Sequence, residues 1–164
     1  MAHSLYKETI LSRYRSQAHH YAMAEADRHQ EKRNPVCGDD IRLYFRLEAP
    51  EEGRPDGRAD SRSDSRSEGR EEAARIAEIS FDGHGCSIAV AAAEMLCERL
   101  TGKEISEAKR LVEQYLCLVR DGREEARFSG ELEELNAFEA VREYPSRIDC
   151  AVLAWETARD ILQE

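Results

Sequence analysis

Features that would place the chain in a membrane, on a secretory route or on nucleic acid are missing from its sequence. No apolar run approaches the roughly 20 residues that span a bilayer, and residues 1–10 lack the basic region and apolar core of a secretory signal. Acidic residues outnumber basic ones by 34 to 24, which gives a formal net charge of −10. We therefore expect no nucleic-acid partner and no membrane partner.

Sequence motifs of several common enzyme classes are also absent. The chain has no G-x-S-x-G, P-loop or G-x-G-x-x-G sequence, which excludes the usual hydrolase, NTPase and dinucleotide-binding signatures. Its five cysteines are an odd number spread from Cys37 to Cys150, a pattern that argues against a secreted, disulfide-linked module. We expect a cytoplasmic protein whose cysteines are metal-binding, catalytic or simply buried.

One low-complexity stretch interrupts what is otherwise predicted to be a single domain spanning residues 1–164. Between Arg54 and Glu72, arginines and acidic residues alternate with a period of four, and glycine and serine fill most other positions. A helix would stack the arginines at i,i+4 spacing, and the segment has too little apolar surface to offset the entropy of ordering. We predict a charged loop insertion at about residues 51–73, either without chemistry or acting as a docking arm.

The order of the other elements predicts an α+β fold, in which helices pack on one face of a small antiparallel β-sheet. Residues 41–47 alternate strictly between apolar and polar side chains, which is typical of a half-buried strand. Residues 75–81 form a second strand with Ala77, Ile79 and Phe81 inward, and the two strands are expected to pair as a hairpin. Helices are predicted for residues 4–15, 87–101, 104–119, 132–142 and 147–162.

Three of the five cysteines fall in turns at the ends of these elements. Cys37 and Asp39 flank a glycine before the first strand, so a thiolate and a carboxylate can point to one spot. Cys86 follows a glycine-rich turn at a helix N-terminus, where the dipole favours a thiolate, and Cys150 lies near the start of the last helix. Tetrahedral Zn²⁺ takes four such ligands, and iron–sulfur clusters also prefer thiolates. The gaps of 49 and 64 residues match no short metal motif, so three separate reduced thiols are the alternative.

The other two cysteines and the histidines named here are predicted to have no chemical role. Cys97 and Cys117 sit mid-helix beside apolar neighbours and are predicted to be small buried hydrophobes. His19 and His20 lie in a polar stretch and are expected to face solvent. His84 comes shortly before Cys86 and is interpreted as a turn residue.

Four sequence blocks occur in an order and at a spacing that runs through nearly the whole chain. They are Asn34–Asp39 (NPVCGD), Phe81–Ile88 (FDGHGCSI), Gly102–Lys103 (GK) and Tyr144–Trp155 (YPSRIDCAVLAW). Together they resemble the U-type iron–sulfur cluster assembly proteins, and this resemblance implies a SufU/IscU-like fold. The SufU branch fits better than the IscU scaffold branch, because IscU carries a histidine just before its third cysteine, whereas this chain has Asp149 directly before Cys150 and an arginine, Arg147, but no histidine in that region.

The resemblance also implies a metal site and a reaction. SufU proteins hold Zn²⁺ with three cysteines and one aspartate, which correspond here to Cys37, Asp39, Cys86 and Cys150. Cys37 would accept persulfide sulfur from a SufS-type cysteine desulfurase, for delivery to a downstream iron–sulfur scaffold, and Arg147 would steady the persulfide. The expected function is a zinc-dependent sulfurtransferase. The alternatives are a scaffold that assembles and transfers a [2Fe–2S] cluster on the same thiols, and a zinc-stabilised adaptor that binds a desulfurase without chemistry.

Overall fold

The computed structural model describes residues 2–50 and 72–164, and the predicted charged insertion therefore lies outside the described residues except at its last two positions. The described residues form the expected α+β fold, with one three-stranded antiparallel sheet. In chain order the elements are α1 (Ala2–Ser16), β1 (Arg28–Asn34), β2 (Asp39–Glu48), β3 (Arg75–His84), α2 (Ser87–Leu100), α3 (Ile105–Val119), two 3₁₀ segments (Glu124–Ala126 and Gly130–Glu143) and α4 (Pro145–Leu162).

The two predicted strands pair antiparallel as the expected hairpin, with Phe45 on β2 opposite Ile79 on β3. The alternation along β2 is that of a half-buried strand, because its apolar side chains point into the core. The register shifts after Arg46, and this shift changes which side chains of β3 face inward at its start. Ile76 is fully buried there and Ala77 is only half-buried, so the predicted inward position of Ala77 is wrong.

The sheet has a third strand, β1, in a polar region for which the sequence predicts no strand. β1 lies at the outer edge of the sheet and pairs antiparallel with β2. Its inward side chains are polar, but they reach over the end of α4. The Arg28 guanidinium donates to the carbonyl of Ile161 at 3.0 Å, and Lys32 Nζ lies 3.1 Å from Asp160 Oδ2. β1 thus packs through the aliphatic parts of its charged side chains and through polar contacts of their charged ends, and it presents no apolar face.

The helices pack on one face of the sheet around a single tryptophan. α2 contacts β3, while α4 contacts β1 and β2. Trp155 of α4 is fully buried, stacks on Tyr115 of α3 at 3.9 Å between ring centroids, and donates its indole N–H to the carbonyl of Ala92 in α2 at 3.1 Å. Tyr115 in turn donates its hydroxyl to the carbonyl of Ala151 at 2.8 Å. These contacts fix the position of α4, whose first turns carry Cys150.

The segment before α4 differs from the predicted α-helix over residues 132–142. It is a 3₁₀ helix from Gly130 to Glu143, and its fully buried side chains recur every third residue, at Leu135, Phe138 and Val141. A 3₁₀ helix has three residues per turn, so this spacing places all three on one face. No helix among the described residues is both long enough and apolar enough to cross a bilayer.

The prediction that His19 and His20 face solvent is wrong, because both side chains are half-buried against other elements. The His19 backbone N–H donates to Glu94 Oε1 at 3.0 Å, and its ring nitrogen Nδ1 bonds the other oxygen of the same carboxylate. Glu94 lies on α2 and is fully buried. The His20 ring stacks on Phe81 of β3. Both imidazoles therefore complete polar contacts inside the fold.

The two mid-helix cysteines have different environments. Cys97 is fully buried as predicted, and burial together with the nearby Glu94 carboxylate raises the pKa of its thiol well above the ordinary value. Cys117 is half-buried on α3, which is less than predicted. Neither thiol belongs to the group of metal-ligating side chains found among the described residues.

Candidate metal centre

The turn between β1 and β2 presents Cys37 to solvent and Asp39 to the interior. Asn34 organises this turn, because its side-chain oxygen accepts the Val36 N–H at 3.1 Å and its carbonyl accepts the Gly38 N–H at 2.8 Å. Gly38 adopts a positive φ of 76°, as the sequence predicts for a sharp reversal. Cys37 is consequently exposed, whereas Asp39, the first residue of β2, is only 2% exposed.

A second turn, between β3 and α2, brings Cys86 to the same carboxylate. Cys86 immediately precedes α2, and its backbone N–H donates to Asp39 Oδ1 at 3.0 Å. The other oxygen of Asp39, Oδ2, is buried and has no hydrogen-bond partner among the described residues. Leaving a buried carboxylate oxygen unpaired costs free energy, so Oδ2 is an atom that a bound cation would satisfy.

The last helix supplies the third element of the centre. Cys150 lies in the second turn of α4 and is fully buried. Its Sγ is 3.5 Å from Cys37 Sγ, and both sulfurs lie about 4 Å from the carbonyl oxygen of Ser146. Ligand atoms of Cys37, Asp39 and Cys150 all lie within 4.8 Å of one another. This group of three side chains is called the Cys–Asp–Cys cluster below.

The structure thus brings together three of the four predicted metal ligands. Cys86 is not a member of the cluster, although its backbone is bonded to Asp39 and its thiol influences both Cys150 and Arg147. In the described part of the chain no histidine joins the cluster, and His84 is exposed at the end of β3. A four-ligand site would need the Cys86 thiol beside the three side chains of the cluster.

The environment of the centre raises the pKa of two of its groups, Cys150 and Arg147. Burial raises the pKa of the Cys150 thiol well above its ordinary value, and the neighbouring Asp39 carboxylate and Cys37 thiol add to this effect. The side chain of Arg147 is exposed, and the nearby sulfurs of Cys86 and Cys150 raise the pKa of its guanidinium. The metal-free centre therefore holds a proton on Cys150 that a bound cation must displace.

The donor set suits zinc. Zinc–sulfur bonds of about 2.3 Å in a tetrahedron place two ligand sulfurs roughly 3.8 Å apart, and the two sulfurs of the cluster are 3.5 Å apart. Two thiols and one carboxylate oxygen are also ligand types that structural and catalytic zinc sites use. Thiolate-rich sites accept iron as well, so the donor chemistry by itself admits both metals.

Comparison with known proteins assigns the chain to a family. The model of the NifU-like N terminal domain matches residues 69–151, slightly more than half of the chain. The chain belongs to this family. The match includes Cys86 and Cys150 and begins after the turn that carries Cys37 and Asp39. The resemblance inferred from the four sequence blocks is thereby confirmed.

Individual relatives extend this NifU-like similarity over nearly the whole chain. The iron–sulfur cluster assembly scaffold protein IscU of Thermotoga maritima is 27% identical over 160 residues, which cover 98% of this chain and 94% of the relative. The zinc-dependent sulfurtransferase SufU of Bacillus subtilis is 26% identical over 153 residues, which cover 93% and 86%. The crystal structure described as a putative iron–sulfur cluster assembly scaffold protein for the SUF system of Fervidobacterium islandicum superposes with a TM-score of 0.72, at 26% identity and 99% coverage of both chains. The shared architecture is thus that of solved members of this fold.

Proposed function

We propose that the chain is a zinc-dependent sulfurtransferase of iron–sulfur cluster assembly. It accepts persulfide sulfur on Cys37 from a SufS-type cysteine desulfurase and gives that sulfur to a downstream iron–sulfur scaffold. The observation that carries this proposal is the unequal exposure of the clustered ligands. Cys37 is exposed, while Cys150 and Asp39 beside it are buried. One thiol can therefore meet a partner protein while the others stay within the fold.

The residues of this proposed site have separate roles. Asp39, Cys86 and Cys150 would hold zinc from three different elements, with Cys37 as the fourth ligand on its exposed turn. When bound, zinc keeps cysteine thiols deprotonated near neutral pH, and the thiolate is the nucleophilic form. The exposed Arg147 cation, which interacts electrostatically with Cys86 and Cys150, would attract an anionic persulfide to this end of α4.

The proposed transfer is a thiol–disulfide type of exchange at the desulfurase persulfide. The Cys37 thiolate attacks the terminal sulfur of that persulfide, so a new S–S bond forms on Cys37 and the S–S bond of the donor breaks. The desulfurase cysteine leaves as a thiolate, and no external oxidant or reductant is needed. Exposure of Cys37 gives the attacking sulfur access to its donor.

A second candidate function is a scaffold that assembles a [2Fe–2S] cluster on the same thiols and then transfers it. Three related proteins are named as iron–sulfur cluster assembly scaffolds: the Thermotoga maritima protein at 27% identity, the Fervidobacterium islandicum protein at 26% and a Streptococcus pyogenes IscU at 23%. Here iron and sulfide would be the cargo. The IscU pattern has a histidine just before the third cysteine, and this chain has Asp149 there and no histidine between Ser146 and Cys150, which is why we favour the sulfurtransferase.

The test combines metal analysis with detection of the persulfide. We expect about one zinc per chain and little iron in protein purified without chelator, and a mass increase of one sulfur on Cys37 after incubation with desulfurase and cysteine. Cys37→Ser should abolish stimulation of the desulfurase. Cys117→Ser is the matched control, because that half-buried thiol on α3 lies outside the Cys–Asp–Cys cluster.

Each alternative predicts a different result in the same experiment. Iron with labile sulfide, visible absorbance after anaerobic reconstitution and no zinc would support the scaffold. Stimulation that survives Cys37→Ser would support an adaptor without chemistry. A persulfide that forms in the wild type on a cysteine other than Cys37 would contradict the assignment of the nucleophile.

A further inference from the structure

The segment that follows α1 is held against the edge of β3 by a set of contacts that the proposed reaction does not use. It comprises residues 17–21 and is called the strap below. The carbonyl of His19 accepts the backbone N–H of Phe81 at 2.9 Å, so the strap pairs with β3 at one point. The His19–Glu94 contacts described above anchor the same segment to α2. The strap is therefore fixed both to the sheet and to a helix.

The strap begins with a backbone conformation that other contacts must maintain. Gln17 has a φ of +39°, in the left-handed region that residues other than glycine adopt at an energetic cost. Its side-chain oxygen Oε1 lies 2.8 Å from Nδ1 of His20, which links the strained residue to the ring three positions later. The strained turn thus delivers the His20 ring to a defined place beside β3.

His20 reaches the end of β3 that leads into the metal centre. Its ring stacks on Phe81 with centroids 4.5 Å apart, and its Nε2 lies 3.1 Å from the carbonyl oxygen of Gly83. Gly83 is three residues before Cys86, the predicted ligand that stands outside the Cys–Asp–Cys cluster. The short arm from Gly83 to Cys86 is consequently held at one end by His20 and at the other by Asp39, which accepts the Cys86 N–H.

We propose that His20 is a positioning residue for Cys86: its hydrogen bond to the Gly83 carbonyl fixes the arm so that the Cys86 thiol can complete a four-ligand site. This inference rests on the proposed metal site. It gives a role to a residue that contacts none of the ligand atoms and acts on Cys86 through the backbone of Gly83. The contact controls how often the Cys86 side chain is in reach of the other three ligands. Loss of the contact should weaken retention of the metal by Cys86 and leave the Cys–Asp–Cys cluster in place.

Two substitutions of His20 separate this role from a merely structural one. His20→Phe keeps an aromatic ring to stack on Phe81 but removes the group that bonds Gly83. His20→Gln removes the ring but places an amide N–H close to the position of Nε2. If the ring only stabilises the fold, His20→Phe should affect metal binding less than His20→Gln does. If the hydrogen bond positions Cys86, His20→Gln should have the smaller effect. His29→Phe is the control, because His29 is exposed on β1 and its ring meets only Tyr44 at 6.2 Å among the described aromatic contacts.

The readouts are zinc release to a colorimetric chelator and the absorption spectrum with cobalt(II), in which charge-transfer absorbance increases with the number of bound thiolates. For His20→Phe we expect roughly five-fold faster zinc release, the effect of one ordinary hydrogen bond, together with weaker thiolate-to-cobalt absorbance. His20→Gln should restore both values, and His29→Phe should match the wild type. Wild-type behaviour of His20→Phe in both measurements would overturn the inference. If the wild type itself bound neither zinc nor cobalt, the proposed function would fail instead, and the two failures are therefore distinguishable.

Discussion

The two oxygens of Asp39 have different environments, and this difference leads to a prediction in which one substitution shifts stability in two directions. Asp39→Asn keeps an oxygen that can accept the Cys86 N–H, but it replaces a buried carboxylate whose Oδ2 has no partner among the described residues. In the metal-free protein the substitution should therefore stabilise the fold. In the presence of zinc, the substitution should remove most of the stability that zinc binding adds to the protein, because the negatively charged ligand is lost.

The magnitudes follow from burial and from binding linkage. An unsatisfied buried polar group costs about 1–3 kcal/mol, and more when it is charged. The introduced amide would leave its N–H groups unpaired in the place of Oδ2, so only the excess cost of the charge is recovered, and we expect the metal-free Asp39→Asn protein to gain about 1 kcal/mol. For a chain of this size this corresponds to about 2–4 °C in Tm. Zinc at a concentration of 100 Kd stabilises by about 2.7 kcal/mol. A roughly 100-fold loss of affinity leaves about 0.4 kcal/mol of that stabilisation.

Thermal unfolding followed by circular dichroism, once with chelator and once with zinc, measures both effects on the same samples. Asp27→Asn is the matched control, because the exposed Asp27 carboxylate also accepts a backbone N–H, that of Leu47 at 2.7 Å, but belongs to no ligand group among the described residues. The control should show the wild-type increment with zinc. An Asp39→Asn protein that is less stable without metal and retains the full zinc increment would refute the reasoning, since Asp39 would then be only an acceptor for Cys86.

Two further predictions concern the sheet and the buried thiols. Gly83→Ala should lower the free energy of unfolding in urea by about 3 kcal/mol or more, because a Cβ there would lie 2.0 Å from the Asp40 carbonyl oxygen at a positive φ. Gly102→Ala is the control: Gly102 also has a positive φ but no atom within 4 Å of the added Cβ, so the cost should be about 1 kcal/mol. Equal costs would contradict the steric argument. In the metal-free protein, stability should fall above the ordinary thiol pKa of about 8.5, by about 1.4 kcal/mol per pH unit for each of two buried thiols, since the unfolded chain releases protons that Cys97 and Cys150 keep in the fold. This loss should be absent below that pH and half as steep in Cys150→Ser when both proteins are unfolded in urea from pH 7.5 to 9.5 with chelator and reductant, and identical slopes would show that Cys150 does not contribute.

The parts of the fold that sequence alone predicts are those in which local pattern and tertiary environment agree. Ile41, Leu43 and Phe45 alternate with polar residues and are fully buried on β2. β1 escaped prediction because Arg28 and Lys32 occupy its inward positions, and their partners at the end of α4 are more than a hundred residues away. The period-three burial of the 3₁₀ segment is visible in the sequence but is easily taken for α-helical spacing.

In the candidate site, too, some features could be predicted from the sequence and others depend on tertiary packing. Glycines and element ends predict that Cys37, Cys86 and Cys150 lie in turns or at a helix start, which the structure shows. That Cys37 and Cys150 lie 3.5 Å apart, while Cys86 stands outside the cluster, depends on how α4 packs on the sheet. The half-burial of His19 could not be predicted from its polar neighbours, because its partner Glu94 is the one charged residue in the buried stretch 89–97 of α2.

The single tryptophan of the chain gives this architecture a built-in optical reporter. Trp155 lies five residues after Cys150, which is about 7.5 Å along the axis of the same helix, and its stack on Tyr115 together with its bond to Ala92 places it where α2, α3 and α4 meet. Its emission therefore reports helix packing and not the conformation of the ligand-bearing turns. In a metal titration, the fluorescence of Trp155 could stay constant while the spectrum of the metal centre changes. This result would show that metal binding orders only the ligand-bearing turns. A parallel change in both signals would show that α4 itself moves.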